Sequence, residues 1–205
     1  MSAVNRDTRL AAKVGVGDTA RAETELPLSP DELLDFLRDI ERLIRLNPLL
    51  AIECWMPAEW GFRFAGHNES NDRPFEISVR VDQDDDTGLN LRYDTGLKQI
   101  TTLRVESAEG GSRLIVNEHY PVIEDQLDPR LAEVDKSLVP WVAAIHRHLW
   151  ARRRWAWLPG WGLWNERFML GMPPRQRRIV RLLIWTSLLE FIFFIALVLV
   201  WRAVT

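Results

Sequence analysis

SPDELLDFLRDIERLIRLNP, residues 29–48, carries a helical pair together with the signals that start, break and end it. Ser29 is placed to cap, Pro30 takes the first helical position, where a missing N–H costs nothing, and Glu32 completes a capping box. Leu33, Leu34, Leu37, Ile40, Leu43 and Ile44 recur at helical spacing. A break is expected near Asp39. Asn47-Pro48 ends the region, because the residue before a proline avoids the helical conformation.

Residues 19–26, just upstream, form a plausible short strand. Downstream, strand-like segments follow at short intervals between turn signals. Ile52, Cys54 and Met56 alternate with Glu53 and Trp55, and Phe62 and Phe64 flank Arg63. Phe75, Ile77, Val79 and Val81 alternate with Glu76, Ser78 and Arg80, then Leu89, Leu91 and Tyr93 with Asn90 and Arg92. Thr101, Leu103 and Val105 come next, and after Gly110-Gly111 the set Leu114, Val116 and Tyr120. Period-two alternation means one face buried and one wet, which is the mark of an antiparallel meander. A second helical region is expected from near Asp128. Its stripe is Leu131, Val134, Leu138, Trp141, Val142, Ile145 and Leu149, and Pro140 is expected to kink or divide it. A six-stranded meander followed by one long amphipathic helix must curve to cover that stripe. The fold class is therefore α+β.

This order of elements, with its helical pair, resembles the START-like, helix-grip superfamily (SRPBCC), which includes the polyketide cyclases, the coenzyme Q-binding proteins and the birch-pollen allergen. The resemblance covers roughly residues 19–150 and rests on element order, not on catalytic residues. It implies an antiparallel sheet of about seven strands wrapped around the last helix, with a hydrophobic cavity between. Members of the group bind lipids, sterols, quinones or polyketides there, and some only help other proteins assemble.

Charge divides the chain in two. Residues 1–136 hold 27 acidic and 16 basic side chains, whereas residues 137–205 hold two acids, Glu166 and Glu190, against ten arginines. A basic segment beside a greasy run points to a membrane surface rather than to nucleic acid. The run, residues 182–201, is 20 residues long, about 30 Å as a helix and so the thickness of a bilayer core. Glu190 near its middle costs about 2.5–3.5 kcal/mol on the insertion scale. Fourteen Leu, Ile, Val and Phe residues return on the order of 4–8 kcal/mol, so insertion is favoured. Nine of the ten arginines precede the run, which keeps the large domain in the cytoplasm of a bacterial-type inner membrane, single-pass. Trp155, Trp157, Trp161 and Trp164, with Arg175, Arg177, Arg178 and Arg181, read as an interfacial collar. Glu190 reads as a contact with a polar group on another membrane helix, ahead of a bond to a local carbonyl or to Thr186. The expected organisation is a flexible arm (1–16), a START-like domain (17–154), a Trp/Arg-rich linker (155–178) and a transmembrane helix with a short tail (179–205).

Apparent catalytic motifs dissolve on inspection. Asp86-Thr87-Gly88 and Asp94-Thr95-Gly96 spell the aspartic-protease triplet, but they flank one short strand and read as turns. Asp82, Asp84 and Asp86 begin like a calcium loop, yet Thr87 stands where glycine and Tyr93 where a bidentate Glu is needed. His146 and His148 are two apart on a helix and make no metal pair, and His67 stands alone near a turn. Asn68-Glu69-Ser70 is a glycosylation sequon, without consequence in the cytoplasm. No metal and no cofactor is expected. Lone Cys54 excludes an internal disulfide. By strand parity Glu118, Tyr120 and Tyr93 are the polar groups that could face a cavity, and no convergent polar set is visible.

The expected function is non-catalytic: a tethered START-like domain that binds or presents a lipid or quinone. The expected lining is Phe62, Phe64, Phe75, Ile77, Val79, Leu91, Tyr93, Leu103, Val116, Trp141 and Ile145. An accessory or assembly subunit of an integral membrane complex stands second, and a cyclase-like enzyme third.

Overall fold

The computed structural model describes residues 19–84, 87–122 and 134–204. Its helical pair forms as the signals require. The Glu32 N–H donates to Ser29 Oγ at 3.3 Å, and the Ser29 N–H donates to Glu32 Oε2 at 2.9 Å. Helix α1 (Pro30–Arg38) stops at Asp39, whose carboxylate then accepts the Arg42 N–H at 3.1 Å and caps α2 (Ile40–Arg45). One residue thus ends one helix and starts the next.

Seven antiparallel strands follow the expected meander: β1 (Thr19–Leu26), β2 (Leu50–Ala58), β3 (Gly61–Asn68), β4 (Arg73–Asp84), β5 (Gly88–Tyr93), β6 (Ile100–Ala108) and β7 (Gly111–His119). The sheet order is β1-β7-β6-β5-β4-β3-β2, so the first strand closes beside the last. The sheet curves over α3 (Leu138–Trp155), which packs on β1 and β7, while α1 lies against β5, β6 and β7. Leu91, Leu103, Leu114 and Val116 from the sheet meet Val142 and Ile145 from α3, all sealed from solvent. Each such side chain stabilises the fold by on the order of 1.5–3 kcal/mol.

Three local expectations are corrected. In β2 the pairing register shifts between Ile52 and Cys54. The shift reverses the faces beyond it: Trp55 turns inward and stacks on Phe62 at 4.3 Å, while Cys54 and Met56 are exposed. One extra residue in a strand exchanges its two sides. The last helix of the domain starts at Leu138 rather than near Asp128, for residues 134–137 are not helical. Asp128 and Leu131, like the arm at 1–16 and Asp86, lie outside the described residues. Pro140 neither kinks nor divides the helix. It occupies the first turn, where backbone N–H groups lack intrahelical partners in any case.

Beyond α3, a turn at Gly160 (φ 83°) leads into a π-helical segment, Leu163–Met169. Helix α4 (Pro174–Val204) is continuous, so the arginines at 175–181 are its first two turns rather than part of a separate linker. It is long and apolar enough to cross a membrane, and its apolar length is exposed.

Candidate ligand-binding site

A pocket of about 270 Å³ opens where β3 and β4 draw away from the start of α3. Phe64, Phe75, Ile77, Tyr93 and Trp141 line it, together with Ile44 and Leu50. Trp141 is fixed by its indole N–H, which donates to the Leu43 carbonyl of α2 at 2.8 Å. Phe64 and Phe75 sit with ring centres 5.1 Å apart. The other six residues expected to line a cavity (Phe62, Val79, Leu91, Leu103, Val116 and Ile145) belong to the buried core and are not in the wall of this pocket.

One end of the pocket is polar, and there the structure departs from the sequence expectation: a convergent polar set does exist. Glu118 of β7 is fully buried on the same face as Leu114 and Val116. Its Oε1 accepts from Lys98 Nζ at 2.8 Å and its Oε2 from the Tyr120 hydroxyl at 2.6 Å. Lys98 Nζ also donates to Asp135 Oδ2 at 3.0 Å and lies 5.2 Å from the centre of the Tyr93 ring. Asp135 Oδ1 accepts from Asn68 Nδ2, Ser70 Oγ and the Ser137 N–H at 3.3, 3.2 and 2.9 Å. The Tyr93 hydroxyl lies 3.0 Å from Thr101 Oγ1.

The charges follow from these partners. Burial alone would push the Lys98 ammonium down, but Glu118 and Asp135 outweigh it and hold the group well above its ordinary range. Burial raises Asp135, yet Lys98 and the Ser137 bonds bring its carboxyl down to about 2. Burial, then the Glu118 charge, raises the Tyr120 phenol, and burial raises Tyr93 against the pull of Lys98. At neutral pH the end of the pocket therefore presents an ammonium and two phenols with their protons on. The Tyr120 proton is taken by Glu118 and the Tyr93 hydroxyl is paired with Thr101, so the ammonium is the donor that could serve an acceptor in the pocket. A lysine held in this form is not a nucleophile.

The turn between β3 and β4 connects this end to α4. Asn68 and Ser70 hold Asp135, and between them Glu69 accepts from Arg178 at 2.5 Å and lies 3.4 Å from Arg175. Arg177, read from the sequence as a headgroup contact, is instead buried. Its guanidinium donates to the carbonyls of Arg45, Met172 and Leu170 at 2.6, 2.7 and 3.2 Å, which pins the root of α4 to the end of α2. Arg175, Arg178 and Arg181 remain exposed. Trp155, Trp157 and Trp164 are exposed and Trp161 is half-buried. In the π-helical segment Trp164 stacks on Phe168 at 4.8 Å. Asn165 reaches His148 Nδ1 at 3.3 Å, and Glu166 lies 3.7 Å from both Arg42 and Arg152. Glu190 is exposed within the apolar run, and the Thr186 hydroxyl donates to the Leu182 carbonyl at 3.0 Å. His67 is not solitary, for its Nε2 lies 2.8 Å from Asp72.

Comparison with known proteins agrees with this architecture. A protein of Thermus thermophilus superposes with a TM-score of 0.50 at 15% identity, covering 65% of this chain and 97% of its own. A START superfamily protein of Mycobacterium smegmatis gives 0.47 at 12% identity over 65% and 97%, and a polyketide cyclase-like protein of Corynebacterium glutamicum 0.40 at 17% over 66% and 93%. No family model and no curated protein matches the sequence. Residues 19–155 have the START-like, helix-grip fold. The chain is that fold followed by one helix apolar enough for a bilayer.

Proposed function

We propose that this chain is a non-catalytic, membrane-anchored helix-grip protein that binds or presents an apolar ligand, a lipid or quinone, at the cytoplasmic face of an inner membrane. The observation that carries it is the β3–β4 turn. Asn68 at the end of β3 lines the pocket, and Glu69 beside it grips the root of α4. A ligand dissolved in the bilayer that holds α4 would thus find the pocket close at hand. The arginines before residue 182 favour a cytoplasmic domain. Native mass spectrometry of the detergent-extracted chain tests the proposal. A bound small-molecule mass that disappears in an Ile77→Trp variant is expected, and an adduct-free wild type counts against it. Recovery of the chain in the supernatant after carbonate washing would remove the anchor.

A second function, docking on an integral membrane complex, is favoured by Glu190. It is the one acid in the 20-residue run, and intramembrane acids usually face protein or a cavity. Loss of co-purifying membrane subunits in Glu190→Leu is the expected sign, and unchanged co-purification would rule this contact out.

A further inference from the structure

The polar end of the pocket holds hydrogen-bond donors that a pure hydrocarbon would leave unused. Among the described residues, Lys98 Nζ is bonded to Glu118 and Asp135, which engage two of its three N–H groups. The side chain is 17% exposed and lines the pocket. Beside it stands Tyr120, whose proton is given to Glu118.

Charge decides what kind of group this end accepts. One ammonium is set against two carboxylates, Glu118 and Asp135, within 3.0 Å. At Lys98 the positive charge is already more than matched, although Arg73 elsewhere on the wall is a second cation. A carboxylate or phosphate brought here would lose its water and gain two negative neighbours, which disfavours it. A neutral oxygen acceptor sheds little hydration and takes a charge-assisted bond from the remaining ammonium N–H. The wall also carries a flat apolar set, Phe64, Phe75, Ile77 and Trp141, beside the polar Asn47, Asn71, Arg73 and Thr95. At about 270 Å³ the space falls just below the usual range for ligand pockets, about 300–1,000 Å³, and suits a compact ring system rather than a two-chain lipid.

From these features we infer that the pocket selects a compact, uncharged ring compound bearing a carbonyl, seated with that oxygen toward Lys98 and its rings among Phe64, Phe75 and Trp141. The inference rests on the cavity being a ligand pocket, and it adds which end of the ligand is recognised and which head groups are refused.

Three probes of similar size separate these points: 1-acetylnaphthalene, 1-methylnaphthalene and 1-naphthoate. Each is titrated by equilibrium dialysis against the full chain in nanodiscs of neutral lipid, with empty nanodiscs as the reference for partitioning. The acetyl compound should bind about tenfold more tightly than the methyl compound, the worth of one added hydrogen bond. Naphthoate should bind no better than the methyl compound. Lys98→Met should abolish the acetyl preference, so that the acetyl and methyl compounds bind alike. If that variant fails to fold, the order of the three probes on the wild type still decides. Equal binding of the acetyl and methyl compounds, or tightest binding of naphthoate, overturns the inference while leaving a ligand pocket. Binding of none of the three overturns both.

Discussion

Nζ of Lys98 lies 2.8 Å from Oε1 of Glu118, a carboxylate with no exposed side-chain surface at all. A charge in that position persists only because a partner neutralises it and because its second oxygen is satisfied by Tyr120.

Removing the cation alone should therefore be costly. Lys98→Met is expected to destabilise the domain by about 3–5 kcal/mol, since it strands Glu118 and Asp135. Adding Glu118→Gln to the same chain should restore part of the loss. Thermal melts of the detergent-solubilised protein measure both, and a double variant no more stable than the single one would show that the two groups are not coupled.

Stability should fall in two steps as the pH drops. Burial, with Arg42, Arg152 and Arg181, lowers His148 from its ordinary 6.5 to about 4. The unfolded chain takes up this proton first, so stability is complete above pH 6.5 and declines toward 4, by about 3 kcal/mol. Asp135, lowered from 3.8 to about 2, contributes stability that is complete above pH 3.8 and is lost toward 2, about 2 kcal/mol. His148→Phe should flatten the first step and Asp135→Asn the second, as read from denaturation midpoints across pH.

At the root of α4 the two kinds of arginine contact should weigh very differently. Arg177→Ala leaves the carbonyls of Arg45, Leu170 and Met172 without their donor and should cost about 3 kcal/mol locally, with faster protease cleavage between residues 156 and 172. Glu69→Gln should cost less than about 1 kcal/mol, because the Arg175 and Arg178 side chains are 70% and 55% exposed. Cleavage rates that rank the two variants the other way would contradict the burial of Arg177.

Ser29→Ala should lower stability by about 1 kcal/mol through loss of the cap on α1, and Ser29→Asp should retain most of it. Melting temperatures of the three proteins compare them directly.

The sequence was most legible where its signals are local. The capping box, the break at Asp39 and the bounds of β1 depend on residues three or four apart, and each appears as expected. The inward turn of Trp55 was hidden because a bulge leaves no trace in residue type. Pro140 misled because its effect depends on where the helix begins, and the apolar residues at 131 and 134 extended the apparent stripe upstream. At the pocket, Glu118 on an apolar face was a true signal, but its cation comes from a loop 20 residues before it, and the second carboxylate on that cation from a segment 17 residues after it. No period joins such positions. A buried acid does demand a cation, and Lys98 is one of only three lysines in the chain, so that demand was the one clue to it available in advance. Arg177 was grouped with its exposed neighbours because a run of arginines does not reveal which of them folds inward.

Because Arg177 fastens α4 to the body of the protein and the helix continues from that point without a loop, the two turn as one piece. In a bilayer, a helix of 31 residues leans to fit the local hydrocarbon depth. A thinner or thicker membrane would then tip the whole cup by the same angle and change the distance from its rim to the lipid heads.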